Sequence, residues 1–409
     1  MDGVPFRDRR AFALLRHVRW RERGLHSGST EGQAMNGKRE VLFHIPCLHG
    51  GGAERVAVEI AKHFVSKGFR PFFFVHTEGT AYQLPPGVEV VVASKTGHLA
   101  RVLELRALIR TRRPEAVLSF LPYANLISVS ARLFGASRTR LVISEHSVFA
   151  PSDSVYGSLH RTSAKAKIKW AIARWLYQAS DSIVAVSTGV AQDLQRSLKG
   201  RAPDKVVVIH NPCFIPGAVA NAKPRGAAVL AVGRLGAQKG FDVLIRAFAS
   251  VLKTRGDATL VIAGEGKDRA RLEALVRELG LSDSVSLPGF AGDVAELYRN
   301  ADLFVCSSKR EGFGNVIVEA LSFGLPVVST RREHGPDEIL DGGKYGRLVP
   351  VDDEKALAAA IIESLTGDVD KPALIARAGA FSLEAIGDRY LEQLGLQAHD
   401  DKATQGAGA

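Results

Sequence analysis

Apolar residues fall along this chain in two patterns: short unbroken runs, and longer stretches with an apolar residue every three or four positions. From residue 38 the unbroken runs lie at 40–46, 70–76, 88–93, 116–120, 141–144 and 182–187. The helical pattern lies at 53–67, 99–111 and 164–179. Near-continuous apolar strands alternating with helices predict a parallel sheet covered on both faces. The segment 211–226 holds Pro212, Pro216, Gly217 and Pro224, has no period and reads as a linker. After it the alternation restarts, with strands expected at 227–232, 259–263, 285–287, 303–307, 326–329 and 347–349. Helices are expected at 241–255, 268–279, 294–300 and about 315–323, and a last amphipathic helix at 381–394.

The fold expected is therefore α/β, with two doubly wound Rossmann-like domains facing across a cleft. The first covers 39–212 and the second 227–380, with 213–226 between them and a terminal helical segment at 381–397. Ligands of such sheets sit beyond the carboxyl ends of the strands, where strand order reverses. Residues 398–409 are small and polar and are expected to be disordered. Residues 1–38 differ from the rest: Arg7, Arg9, Arg10, Arg16, Arg19, Arg21 and Arg23 surround a short apolar patch around Phe12 and Leu15. One reading is an amphipathic helix on a membrane surface. The other, which fits better because Met35 sits just ahead of the first strand, is a disordered extension or a start assigned too early.

A length of 409 residues suits two domains, and 46% hydrophobic with 24% charged residues is a globular composition. No apolar stretch approaches the roughly 20 residues of a membrane span. Cys47, Cys213 and Cys306 are far apart, which favours reduced thiols in a cytoplasmic protein, with peripheral contact to the cytoplasmic face of a membrane as an extension of that reading. The net charge of +11 asks for an anionic partner. Without zinc-finger spacing or an aromatic RNA-binding signature, nucleic acid is set aside. Phosphorylated small molecules and anionic membranes remain.

Four motifs carry candidate chemistry. His49-Gly50-Gly51-Gly52-Ala53-Glu54 lies between a strand and a helix, where glycines admit a ligand to the backbone and a helix start offers unpaired N–H groups. Arg55 stands where a dinucleotide fingerprint needs its last glycine, so that fingerprint is incomplete, and a structural tight turn is the competing reading. Gly233-Arg234-Leu235 and Lys239-Gly240 follow the first strand of the second domain, and their two cations can converge on one diphosphate. Glu311-Gly312-Phe313-Gly314-Asn315 runs into a helix carrying Val316 and Glu319. Its glycines make a nest of backbone donors, and a carboxylate in so apolar a helix needs a partner. Ser144-Glu145-His146 ends a first-domain strand, where a histidine serves packing or catalysis.

Together these elements resemble the retaining family 4 glycosyltransferases (glycosyl transferases group 1) of the GT-B fold, over about 40–394. The stretch from Glu311 to Glu319 is similar to the family's E-x7-E element, and Ala263-Gly264-Glu265-Gly266 and Ser187-Thr188-Gly189-Val190 resemble its other signatures. The resemblance implies that Arg234 and Lys239 hold a nucleotide diphosphate, next to Gly233, with Gly51 and Gly52 approaching from the first domain. It implies that Glu319 binds the ribose, that residues around Phe290 meet the base, and that Glu311 with the backbone of Phe313, Gly314 and Asn315 grips the sugar. His146 would lie near the reacting centre, and the helix at 381–394 would cross back to the first domain. Fixed cations would stabilise the leaving diphosphate, so no metal is expected. Retention would follow from same-face substitution or from a double displacement, the former favoured because no second carboxylate stands where a nucleophile would.

The resemblance points to a UDP-sugar donor and to a glycan or polyprenyl-diphosphate-linked glycan acceptor in cell-surface polysaccharide synthesis. Lys165, Lys167, Lys169, Trp170 and Trp175 on one expected first-domain helix suit an anionic membrane surface, or alternatively a helix that packs its tryptophans inward. A nucleotide-sugar epimerase or hydrolase on this fold, or an inactive nucleotide-sugar-binding subunit, are the competing functions.

Overall fold

A computed structural model describes residues 39–133, 135, 139–146, 172–173, 175–198, 200, 203–215, 226–290, 294–331 and 334–397. The extension 1–38, the tail 398–409 and Lys165, Lys167, Lys169 and Trp170 lie outside the described residues.

The first sheet holds β1 (Glu40–His44), β2 (Arg70–Val75), β3 (Glu89–Val92), β4 (Ala116–Phe120), β5 (Arg140–Glu145), β6 (Ser182–Ala185) and β7 (Val206–Val208), in the order β3-β2-β1-β4-β5-β6-β7. The second holds β8 (Ala228–Val232), β9 (Thr259–Ala263), β10 (Val285–Gly289), β11 (Leu303–Cys306), β12 (Val327–Thr330) and β13 (Arg347–Val349), in the order β10-β9-β8-β11-β12-β13. Every pairing is parallel. Strand order reverses between β1 and β4 in one sheet and between β8 and β11 in the other, so each offers a crevice there.

Alternate residues of a strand feed opposite faces, and the cores follow that rule. Val41 and Phe43 of β1 join Phe73 and the helix Gly52–Ser66 on one side, while Leu42 joins Phe72 and Phe74 on the other. The second core continues into the second unit through Phe313, Ile317 and Phe381, so one apolar cluster runs under both sheets. The outer face of the second sheet is closed by the helices Phe241–Thr254, Arg269–Glu278 and Glu354–Thr366.

Three elements of the first unit depart from the sequence expectation. The helix Pro122–Leu133 hides its period because polar residues occupy its buried face. Ser128 meets His44 there (2.7 Å) and Asn125 donates to the Ser144 carbonyl (3.0 Å). The helix Thr188–Leu198 and the three-residue edge strand β7 had likewise left no distinct signal.

The last helix, Leu383–Gln393, starts after Ser382, whose hydroxyl accepts from the Ala385 N–H. It lies on the first unit, far in sequence from that unit's strands. Ile386, Tyr390 and Leu391 enter the core of Val41 and Phe43. His63 Nε2 meets Asp388 at 2.8 Å, and the Ser144 and Tyr390 hydroxyls are 3.2 Å apart. A Cβ on Gly387 would stand 2.2 Å from the buried His63 ring. Gly387→Ala is therefore expected to displace that ring and to cost about 1–3 kcal/mol in urea unfolding. Unchanged stability would mean that the helix contributes little to the first unit.

Candidate functional site

The loops at the carboxyl ends of β8, β9 and β11 are tied into one platform. The Gly233 N–H donates to the Ala263 carbonyl and the Leu235 N–H to that of Glu265, both at 2.9 Å, so the Ala263–Gly266 signature braces the cation-bearing loop. Lys239 ends a short turn, Ala237–Lys239, and Gly240 follows at φ +62°. A Cβ on Gly240 would sit 2.2 Å from the Ser307 carbonyl oxygen, so only glycine lets this turn touch the end of β11. Ser307 Oγ donates back to the Lys239 carbonyl at 2.9 Å.

Lys239 and Glu311 form an ion pair on this platform, and Ser308 Oγ adds a 2.6 Å hydrogen bond to the same carboxylate oxygen. Burial is the largest influence on the Lys239 ammonium and would lower its pKa, but the charge and hydrogen bond of Glu311, together with the neighbouring Cys306, carry the net direction upward. The lysine stays charged. Its stem covers Gly233, where a Cβ would lie 3.3 Å from Lys239 Cε. Arg234 is exposed, with no hydrogen bond or ion pair among the described residues. A paired cation and a free one thus stand side by side.

The chain then passes through Phe313, whose ring is buried against His210 (centroids 5.3 Å apart) and Phe381 (5.6 Å). Its side chain is a packing element, which leaves only its backbone for a ligand. Gly314 (φ +106°) turns the chain into the helix Asn315–Ser322. The N–H groups of Phe313, Gly314, Asn315 and Val316 have no acceptor among the described residues. They form an open row of donors at a helix start.

Glu319, one turn further on, is buried (side chain 4% exposed) with both oxygens engaged. Tyr298 donates to one at 2.8 Å, and Arg55 of the first unit reaches the other at 3.3 Å. Burial pushes the Glu319 carboxyl up, and Arg55 and Tyr298 pull it part of the way back.

The glycine loop of the first unit is built differently from expectation. The N–H groups of Gly50 and Gly51 both donate to Glu54 Oε2, at 2.7 and 2.9 Å. The internal carboxylate of Glu54, in the first helical turn, takes the two backbone donors that the glycine loop was expected to offer a ligand. Gly52 is retained at the cleft: a Cβ there would lie 3.5 Å from Asn315 Nδ2.

Further contacts clamp the donor-row loop to the first unit. Ser187 Oγ donates to the Gly312 carbonyl (2.8 Å) and Asn211 Nδ2 to Asn315 Oδ1 (2.8 Å). Glu338 accepts from the N–H groups of Thr188 and Gly189, capping the helix Thr188–Leu198 from the opposite unit, and pairs with His210 at 2.8 Å. Burial would raise the Glu338 pKa, but the His210 bond and the Thr188 N–H hold it below the usual carboxylate range.

His146 lies at the carboxyl end of β5. Its Nε2 is 3.0 Å from Ser144 Oγ, the hydroxyl that Tyr390 also meets, and Nδ1 has no partner among the described residues. Burial lowers its pKa to about 3, so the imidazole is neutral at ordinary pH. No direct contact joins it to Arg234, Lys239 or Glu311. The neighbouring Glu145 carboxyl is pushed up to about 7 by burial, against hydrogen bonds from Tyr177 and Asn125.

A family model described as Glycosyl transferases group 1 matches residues 218–380, and one described as Glycosyltransferase Family 4 matches residues 50–213. The chain belongs to these glycosyltransferases. A similar relative is the N-acetylgalactosamine-N,N'-diacetylbacillosaminyl-diphospho-undecaprenol 4-alpha-N-acetylgalactosaminyltransferase of Campylobacter jejuni, 29% identical over 78% of this chain and 88% of the relative. The fold is that of a glycosyltransferase from Rickettsia africae, with a TM-score of 0.72 and 21% identity over 87% of this chain and 98% of that one. It is equally that of Anabaena HepE, solved with UDP and glucose, with a TM-score of 0.70 and 23% identity over 87% and 99%. The two parallel sheets are the GT-B arrangement.

In this glycosyltransferase Phe290 is 83% exposed at the end of β10, an aromatic face open to solvent. Trp175 is also exposed, at 57%, which removes the reading in which it packs inward. Sequence reasoning missed Arg55 as a site residue, having read it only as a break in a fingerprint. Its place in the first turn after a glycine cluster was the available signal. Ser187 stood in a family-like signature with no role attached, and Asn211 and Glu338 carried no signal, since their partners lie more than 100 positions away.

Glu311→Gln should leave the Lys239 ammonium buried without its counter-charge. Its pKa is then expected to fall, read by NMR titration of the labelled lysine side chain. A Lys239 titration unchanged from wild type would show that Glu311 does not set its charge.

Proposed function

We propose that this glycosyltransferase moves a hexose or N-acetylhexosamine from a UDP-sugar to a lipid-linked glycan, with retention at the anomeric carbon. The observation that carries the reading is the platform itself: Arg234 and Lys239 beside Glu311, the open N–H row at 313–316 and Glu319 at its far end. A cation pair, a row of backbone donors and a buried carboxylate together supply partners for a diphosphate, a sugar and a ribose. The HepE structures with UDP support a uridine nucleotide, and the Campylobacter relative's name supports a carrier-diphosphate acceptor.

In this reading Arg234 binds a phosphate bidentately and Lys239 adds a point charge. Glu311 and the N–H groups of Phe313, Gly314 and Asn315 hold the sugar, Glu319 takes the ribose hydroxyls, and the base lies against the open ring of Phe290. The bond from the anomeric carbon to the diphosphate oxygen breaks as negative charge gathers on the leaving group. The two cations stabilise that charge without rearranging. The acceptor hydroxyl bonds to the anomeric carbon on the same face, and its proton passes to the departing phosphate oxygen. The leaving phosphate is the base of this step. His146 contributes as a neutral dipole, since its depressed pKa leaves it no charge to donate. The ion pair of Glu311 with Lys239 supports a binding role for this carboxylate over that of the nucleophile in a double displacement.

The test incubates the full chain with a panel of UDP- and GDP-sugars, with and without membrane extract. Acceptor-dependent UDP release is expected, and Arg234→Ala should lower it about 10²–10³-fold. Release or isomerisation without acceptor would replace transfer by hydrolysis or epimerisation. Wild-type turnover in Arg234→Ala would refute the role given to that residue.

A lipid-linked acceptor would place the first unit at a membrane surface, and the exposed Ile172 and Trp175, which follow Lys165, Lys167 and Lys169 in the sequence, suit that contact. Among the described residues no helix is long and apolar enough to cross a membrane. Sedimentation with anionic liposomes is expected to fall when the three lysines are replaced by glutamine. Undiminished sedimentation would remove this segment from the contact.

A further inference from the structure

Arg55 is bound on two sides by groups outside its own domain core. Its guanidinium lies 4.5 Å over the ring of Phe214, in the segment leaving the first unit. One amino group reaches Glu319 Oε1 at 3.3 Å, across 264 residues of sequence. Stacking fixes the guanidinium plane, so the edge presented to the second unit is set by the linker and by the helix Gly52–Ser66 together.

Glu319 sits where a charge is costly. Its side chain is 4% exposed, in a helix that enters the apolar core through Ile317, Val318 and Leu321. Among the described residues, the titratable and charged groups facing it are Tyr298 from the helix Val294–Asn300, Cys213 from the linker and Arg55 from the first unit. Tyr298 and Cys213 are held in their neutral forms by burial. Arg55 is thus the cation that opposes the desolvation of this carboxylate.

We infer that Arg55 is a positioning residue for nucleotide binding, keeping Glu319 ionised so that its carboxylate accepts hydrogen bonds from the ribose hydroxyls. The inference rests on the reading of Glu319 as the ribose anchor. It adds that the anchor in the second unit depends on a charge supplied by the first. The 3.3 Å contact is long for a charge-assisted bond, so a ribose hydroxyl can take its place while the guanidinium still supplies its field. Donor affinity and the apposition of the two units are linked through this one pair. Separating the units withdraws the cation, and Glu319 then holds the ribose less well.

The sign of the pH effect follows. A cation lowers the Glu319 pKa, so its removal raises it, and the carboxylate is lost first on the acid side. In alkaline solution both forms of the protein are ionised and the difference shrinks. The experiment titrates the full chain with whichever of UDP and GDP binds the wild type more tightly, by calorimetry from pH 5.5 to 8.5. Arg55→Ala is expected to weaken binding about tenfold at the acid end, with the loss diminishing toward pH 8.5. Arg55→Lys, which keeps the charge, should retain most of the affinity and guards against a folding defect. In Glu319→Gln the further change Arg55→Ala should have no effect.

A loss in Arg55→Ala that is the same at every pH, or that adds in full to that of Glu319→Gln, would overturn the inference while leaving the ribose role of Glu319 intact. Binding unaltered by Glu319→Gln alone would instead remove the ribose reading, and the inference with it.

Discussion

A carboxylate taken out of water must be met by a cation or by hydrogen-bond donors, and two such carboxylates organise the cleft of this protein. Glu311 draws Lys239 and Ser308 to itself, which fastens the loop after β8 to the loop after β11. Glu319 draws Tyr298 from its own unit and Arg55 from the other. The first requirement builds the platform, and the second adds a charged contact between the units to the hydrogen bonds of Ser187, Asn211 and Glu338. The open N–H row at 313–316 lies between these two fixed points.

The two units share a topology but differ in what their strand ends offer. In the first, the amides of the glycine loop are spent on Glu54, and Cys47 Sγ adds a contact to the same side chain at 3.2 Å. In the second, the corresponding crevice keeps an arginine and amides that have no partner among the described residues. An anion therefore meets a neutralised surface on one side and an unsatisfied one on the other. Fold alone did not decide this; the placement of a single glutamate did.

The strands other than β7 were legible as apolar runs, and most helices as amphipathic periods, although Glu354–Thr366 and Lys371–Gly379 were not expected. β4 and β9 match the expected bounds, as does the helix Val294–Asn300. Helix Pro122–Leu133 was not legible, since Asn125 and Ser128 are buried polar groups whose partners lie on other strands. The cation pair and the two glutamates could be found from residue type and spacing. The closure of the first glycine loop could not be found so directly: a glutamate two positions after a glycine cluster serves a ligand or its own backbone equally well until the geometry is known. The clamps between the units were the least legible, because hydrogen bonds such as Asn211 to Asn315 leave no local pattern.

The return of the helix Leu383–Gln393 to the first sheet bears on the order in which the chain is made. Domains emerging from the ribosome tend to fold as units, the amino-terminal one first. Here the first unit's core includes Ile386, Tyr390, Leu391, Leu394 and Leu396, which are synthesised after the whole of the second sheet. The helix Gly52–Ser66 covers part of that face of the first sheet early, but the remainder stays open until residues 386–396 have been made. The second unit can be complete while the first is still open, so the domain synthesised first is the last to close.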